Sequence, residues 1–194
     1  MFIPKICFEM KSLSIMFILI TWIVFTSGSC DKGEIPNPEE LITTMTYTLT
    51  PVGAGPVAVL SFRDLDGDGG TAPVIETDPL ESGTIYLGEI ELLNESTTPV
   101  EDITEEILAE AEDHQFFYAW TGSNLISIDY NDADSLGFPV GVMTAMALSG
   151  PGQGELKITL RHLPDKLAAG VNTGNIQNAG GETDIEVIFP VTVQ

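Results

Sequence analysis

Strict alternation of apolar and polar residues near the C-terminus is the feature that most limits the fold. Between residues 155 and 163, Leu156, Ile158 and Leu160 alternate with polar or charged residues, and residues 185–193 repeat the pattern. Successive side chains of a β-strand point to opposite faces, so this period of two predicts strands with one buried face. Pro190 cannot donate to a ladder, and we therefore expect its strand at an edge or a bend.

Six further segments carry β signals, which brings the predicted number of strands to eight. They are residues 44–50, 57–63, 84–93, 114–120, 125–130 and 140–148. Gly88 lies inside the third of these and predicts a bulge. Short strands joined by Gly- and Pro-rich turns favour an all-β fold, an Ig-like two-sheet sandwich, with a small closed β-barrel as the alternative.

One helix is predicted to interrupt the strands, within residues 98–113. Thr98-Pro99-Val100-Glu101 is a capping box, and Asp102-Ile103-Thr104-Glu105 offers a second start. Its apolar stripe is made by Ile103, Ile107, Leu108 and Ala111.

The N-terminus has the features of a secretory signal peptide. Lys5 and Lys11 precede an apolar run at 13–25, and small residues then lead to Cys30. The run is about 13 residues long, whereas a membrane-spanning helix needs roughly 20. Ser27-Gly28-Ser29-Cys30 resembles the bacterial lipobox, in which a lipid carrying palmitate-type chains is joined to the cysteine sulfur. We therefore expect a signal at 1–29 that starts at Met1 or Met10.

Three regions follow from this reading: the signal, a lipidated Cys30 with a polar tether at 30–40, and a β-sandwich domain at 41–194. Cys7 leaves with the signal, so Cys30 has no cysteine partner for the disulfide usual in exported proteins. Of 29 acidic residues only Glu9 lies in the signal, so 28 remain against five basic ones. This balance excludes nucleic acid as a partner and favours cations or basic partners.

The segment Asp64-Leu65-Asp66-Gly67-Asp68-Gly69 reads as the first half of a calcium loop. Alternate carboxylates in such a loop surround a hard cation with oxygen. An EF-hand is excluded because its twelfth position is Ile75, but Glu76 or Asp78 offer further oxygen ligands. The alternative is a turn rich in Asp and Gly.

Weaker candidate sites are a second acidic turn, the two histidines and an aromatic run. Asp132 and Asp134 echo the first loop, although a β-turn explains them as well. His114 follows the helix and His162 continues an apolar strand face, and the two would ligate one metal ion if the fold brought them together. Residues 115–120 offer a carbohydrate platform or, more simply, a core stripe of Phe116, Tyr118 and Trp120.

Several segments in order, RDLDGDGG, LLNES, DITEEI, HQFFY, LRHLP and GGETDIEV, are similar to small Gram-negative lipoproteins. These carry the label "type 1 periplasmic binding fold superfamily protein". The resemblance covers nearly all of the chain after the signal and implies a solute-binding protein made of two α/β lobes, without assigning catalytic residues.

Three functions are therefore open at the level of sequence. The first is a non-enzymatic lipoprotein, anchored to a membrane of the cell envelope, most simply the outer membrane, which binds an unknown ligand or protein. The second is the periplasmic solute-binding protein that the resemblance implies. The third is a metal-dependent enzyme that uses His114 and His162.

Overall fold

A computed structural model of the chain describes residues 41–66, 70–122 and 125–194. Residues 37–194 form one compact unit, and every residue of the main hydrophobic core belongs to it. This unit therefore has a core of its own. The predicted signal at 1–29, Cys30 and the tether at 30–40 lie outside the described residues.

The described residues form two antiparallel sheets. The strands are β1 (Thr44–Pro51), β2 (Ala58–Arg63), β3 (Val74–Thr77), β4 (Ile85–Asn94), β5 (Glu101–Asp102), β6 (His114–Thr121), β7 (Leu125–Tyr130), β8 (Met143–Leu148), β9 (Gly152–His162) and β10 (Glu182–Val193). The first sheet has the order β3-β2-β1-β4-β8-β7, with β5 paired to β4, and the second has the order β10-β9-β6. Each sheet has two edge strands, so neither closes on itself.

The core lies between the facing sides of the two sheets. Alternate residues of β1 and β4 are buried from one side, and alternate residues of β9 and β10 from the other. The largest fully buried side chains include Tyr47 and Tyr86 from the first sheet and Phe116 and Phe189 from the second. The predicted all-β sandwich is confirmed, and the barrel alternative and the two α/β lobes are not.

The strand bounds differ from the predicted ones mainly where periodicity is weak. The described residues contain ten strands, two more than predicted. The additional strands, β3 and β5, are short and carry no buried face that a sequence pattern could reveal. β9 ends at His162, and Leu163 adopts a left-handed φ of 52°. β10 is an edge strand, as Pro190 predicted.

Gly88 lies in regular pairing with Leu49 on one side and Thr144 on the other, so the predicted bulge is wrong. A Cβ at this position would overlap the hydroxyl groups of Tyr47 and Thr144, which form a buried hydrogen bond of 2.6 Å. Burial raises the pKa of the Tyr47 phenol. Glycine is therefore required here for close packing.

The helix α1 (Ile103–Ala109) begins at the second of the two predicted starts. Asp102 is the N-cap, and its Oδ1 accepts hydrogen bonds from the amides of Thr104 at 2.9 Å and Glu105 at 3.3 Å. Ile103 and Ile107 are buried as predicted, but Leu108 is 50% exposed. The helix packs on β4 with a narrower apolar face than the sequence suggested.

The segment after β9 covers part of the outer face of the second sheet. It contains two short 3-10 turns, Val171–Thr173 and Ile176–Asn178. Val171 and Ala179 pack on Phe117 in a small second core. This packing explains why β6 is buried on both faces at its start.

Candidate functional site

The two histidines lie side by side at one end of the sandwich. His114 begins β6, His162 ends β9, and the two are direct register partners. Their rings stack with centroids 4.8 Å apart and planes inclined by 9°. The sequence prediction left their proximity open, and strand register supplies it.

His114 is 2% exposed and connects the second sheet to the end of α1. Its Nδ1 lies 3.1 Å from the carbonyl oxygen of Glu110, and because a carbonyl only accepts, Nδ1 carries the proton in this contact. Its Nε2 lies 4.0 Å from Oδ2 of Asp184, which sits where the pairing of β10 with β9 shifts by one residue. The helix ends at Ala109, so His114 does not belong to it, but its ring contacts the carbonyl of the C-cap residue Glu110.

The stacked rings disfavour a metal ion shared by His114 and His162. A ring nitrogen binds metal along a lone pair in the plane of its ring, with a bond of about 2.0–2.1 Å to zinc. Two nearly parallel, stacked planes offer no common point at that distance from both rings. Within the described residues, no group of three or more His, Cys, Asp or Glu side chains is placed to hold a metal ion.

A buried ion pair involves segments that adjoin the two histidines in the sequence. Nζ of Lys166 is 2.9 Å from Oδ2 of Asp134, and the two side chains are 5% and 1% exposed. The ammonium also donates to the carbonyl oxygen of Ala111 at 2.6 Å. Burial raises the pKa of Asp134, but the hydrogen bonds from Lys166 and from two backbone amides outweigh it and leave that pKa below its ordinary value.

Of the two interpretations of the Asp132–Asp134 segment, the β-turn agrees with the structure, since the amide of Gly137 donates to the carbonyl of Asp134 at 3.1 Å. Oδ1 of Asp134 accepts from the amides of Leu136 and Phe138, while Oδ2 faces the ammonium of Lys166. Asp132 accepts from the amides of Gly141 at 2.7 Å and Met143 at 2.8 Å. Both carboxylates are therefore engaged by donors of the chain itself, and the turn is structural.

Three segments meet at this end of the molecule: residues 108–113, 132–138 and 163–168, which we call the loop end. Lys166 ties the third segment to the other two. The amide of Leu163 donates to the carbonyl of Asp113 at 2.6 Å, and the hydroxyl of Ser135 donates to Glu112 at 2.5 Å. The loop end also carries four exposed leucines, Leu108, Leu136, Leu163 and Leu167.

The predicted calcium loop is described only in part, because Asp68 lies outside the described residues. Oδ2 of Asp66 accepts from the amide of Thr71 at 2.8 Å, and this backbone hydrogen bond is the main reason why the pKa of Asp66 is lowered. Gly70 packs so closely on this carboxylate that a Cβ would overlap it. The Asp66 carboxylate is thus engaged by a donor of the chain itself, and calcium binding stays a prediction.

The two further ligands proposed for that loop, Glu76 and Asp78, lie at different distances from it along the chain. Asp78 lies four residues beyond Val74 along β3, which is about 13 Å at the usual rise of a strand. Its Oδ2 accepts from the amide of Val59 at 3.0 Å. Asp78 is therefore excluded as a ligand of the loop, whereas Glu76 is exposed in the middle of β3.

The aromatic run of β6 belongs to the core. Phe116 is fully buried, and Tyr118 and Trp120 pack against the main core from the same face of the strand. The hydroxyl of Tyr118 donates to the carbonyl of Gly141, and burial raises the pKa of this phenol. The core interpretation is confirmed, and the run offers no platform to a sugar.

Sequence reasoning missed most of the residues that define the loop end. Leu163 was placed in a strand, Leu108 on the buried face of the helix, and Lys166 was counted only as charge. The Leu-Pro pair at 163–164 was the available signal, since the residue before proline is disfavoured in the right-handed helical region and a chain turn is expected there.

The fold and this loop end define the chain as an all-β two-sheet sandwich with three hydrogen-bonded loop segments at one end. Comparison with protein-family models, with curated proteins and with solved structures finds no match. Among the described residues, no helix is long and apolar enough to cross a membrane.

Proposed function

We propose that this chain is a lipoprotein of the cell envelope, anchored through Cys30, that acts as a non-enzymatic interaction module. The signal-like N-terminus and the small residues before Cys30 support the anchor. The loop end is the single observation that supports the interaction role. It places four exposed leucines on segments that the chain itself fixes.

Exposed apolar groups in one region indicate contact with another molecule more strongly than scattered ones do. Leu167 is 80% exposed and Leu136 is 66% exposed, although each lies within two residues of the buried Lys166–Asp134 pair. The segments are thus well anchored, while their leucines point away from the core. A surface of this kind is ready to bind without further ordering, which lowers the entropic cost of association.

The test uses the full-length, lipidated chain in its own cell envelope. We expect a photo-reactive p-benzoylphenylalanine in place of Leu167 to form a discrete cross-linked species on irradiation. The same group in place of Leu87, a leucine 47% exposed on the outer face of the first sheet, is the control. Immunoblots that show the same pattern at both positions, or no species at either, would contradict an interaction role for the loop end.

A further inference from the structure

The loop end combines apolar and acidic groups in a way that limits what can bind to it. The four exposed leucines are accompanied by four exposed carboxylates, Glu110, Glu112, Asp113 and Asp165. The basic residue of these three segments is Lys166, whose ammonium is buried against Asp134. The exposed surface of the loop end is therefore apolar and negatively charged.

The backbone holds this arrangement in place at an energetic cost. Leu163 has a φ of 52°, in the left-handed region that non-glycine residues rarely adopt, yet its side chain is 61% exposed. Gly181 packs on the carbonyl group of Leu163, and the amide of Leu163 is bonded to Asp113. Such strain persists only where the surroundings fix it and is concentrated at binding sites.

Charge decides between the possible occupants. A second copy of the chain would bring the same carboxylates face to face, and like charges at an interface are costly. Anionic lipid headgroups are disfavoured for the same reason. A protein surface with an apolar centre and a rim of lysine or arginine would cover the leucines and pair with the carboxylates.

We infer that the loop end docks an amphipathic, basic protein segment, in which an apolar stripe is flanked by lysine or arginine. This inference rests on the proposed function and specifies the chemistry of its partner. An amphipathic helix is the simplest segment of this kind, because its apolar side chains recur on one face. The leucines would supply the contact area, and the carboxylates would select the charge.

The first experiment measures binding of defined peptides to residues 37–194, the unit that contains its own core. The probe is a fluorescently labelled helical peptide of leucine and lysine, and the matched control has glutamate at every lysine position. We expect saturable binding of the lysine peptide, weakened by salt, and no binding of the glutamate peptide. Amide shifts of the nitrogen-15-labelled protein should be concentrated in residues 108–113, 132–138 and 163–168.

The second experiment separates the loop end from the general acidity of the surface. We expect Leu136→Ser combined with Leu167→Ser to weaken binding of the lysine peptide by about tenfold or more, because two leucine side chains that the bound peptide would bury are lost. Leu87→Ser removes an exposed leucine elsewhere and should leave binding unchanged. Thermal melts of each variant check that the fold is retained, and Leu136→Ser alone serves if the double variant unfolds.

Four results would overturn the inference. Equal affinity of the parent and the double variant, or amide shifts centred on the outer face of β4, would show that the peptide responds only to net charge. Binding of the unit to phosphatidylcholine vesicles through the same leucines would replace the protein partner with a membrane. A cross-link at Leu167 without peptide binding would retain the proposed function and reject this partner chemistry.

Discussion

At the scale of single residues, the Lys166–Asp134 pair is the contact on which the loop end depends most. Lys166 is shared between a carboxylate and a backbone carbonyl, so it connects three segments that are distant in the sequence. A buried charge that loses its partner cannot be compensated by water, and the remaining charge then destabilises the folded state.

We expect Lys166→Met to lower the free energy of unfolding by about 3 kcal/mol at neutral pH, because Asp134 would remain buried without its counter-ion. Lys157→Met is the matched control, since its pair with Glu186 is 42% and 44% exposed at an N–O distance of 3.3 Å. Removal of that exposed pair should cost at most about 1 kcal/mol. Urea denaturation measures both, and equal losses would contradict the role assigned to Lys166.

The same pair predicts how this difference depends on pH. In the parent, the pKa of Asp134 is lowered on folding, so its stabilising contribution is present above the ordinary carboxyl pKa of about 3.9 and is lost as the pH falls. In Lys166→Met, burial of Asp134 opposes ionisation of its carboxyl group. Protonation of that group at lower pH therefore relieves part of the loss of stability caused by the substitution. The gap in stability between parent and variant should therefore narrow from pH 7 towards pH 4.

At the scale of elements, the start of α1 is defined by one side chain. Asp102→Ala removes the acceptor for two amides of the first turn and should lower the free energy of unfolding by about 1 kcal/mol. Thr98→Ala alters the alternative start and should have an effect within about 0.5 kcal/mol. Denaturation curves compare the two variants, and a larger loss for Thr98→Ala would place the functional cap at the first start.

The elements also show what sequence reasoning reaches and where it stops. Leu156, Ile158 and Leu160 predicted their strand correctly because alternation is local and records which face is buried. β3 was missed because Val74 and Ile75 are both exposed and no alternation results. A helix start was ambiguous because two capping patterns lie four residues apart.

Contacts between residues distant in the sequence account for the features that the sequence did not predict. Asp134 and Lys166 are 32 residues apart, and the histidines meet only because His114 and His162 share a register. Neither propensity nor periodicity contains this information, since strand order and register arise from packing of the whole sandwich. The sequence therefore left both a turn and a cation site open for Asp132 and Asp134, whose carboxylates accept from backbone amides and, for Asp134, from Lys166.

At the scale of the whole molecule, the β-sandwich and the N-terminal sequence both contribute to the proposed function. The unit of residues 37–194 has its own core, and we propose that the sequence before it directs export and lipidation. Acyl chains on Cys30 would contribute about 0.8 kcal/mol for each buried methylene, enough for stable anchoring when several chains act together. The acidic domain would then remain accessible to basic partners outside the cytoplasm.

The most direct test of the proposed lipid anchor compares the parent with Cys30→Ser by membrane fractionation and by mass spectrometry of the N-terminal peptide. We predict that the parent is found in the membrane fraction and that its chain begins at a lipid-modified Cys30. The variant should be released from membranes or retain its uncut signal. Unmodified Cys30 in the parent, or unchanged processing and membrane association in the variant, would contradict the lipid anchor.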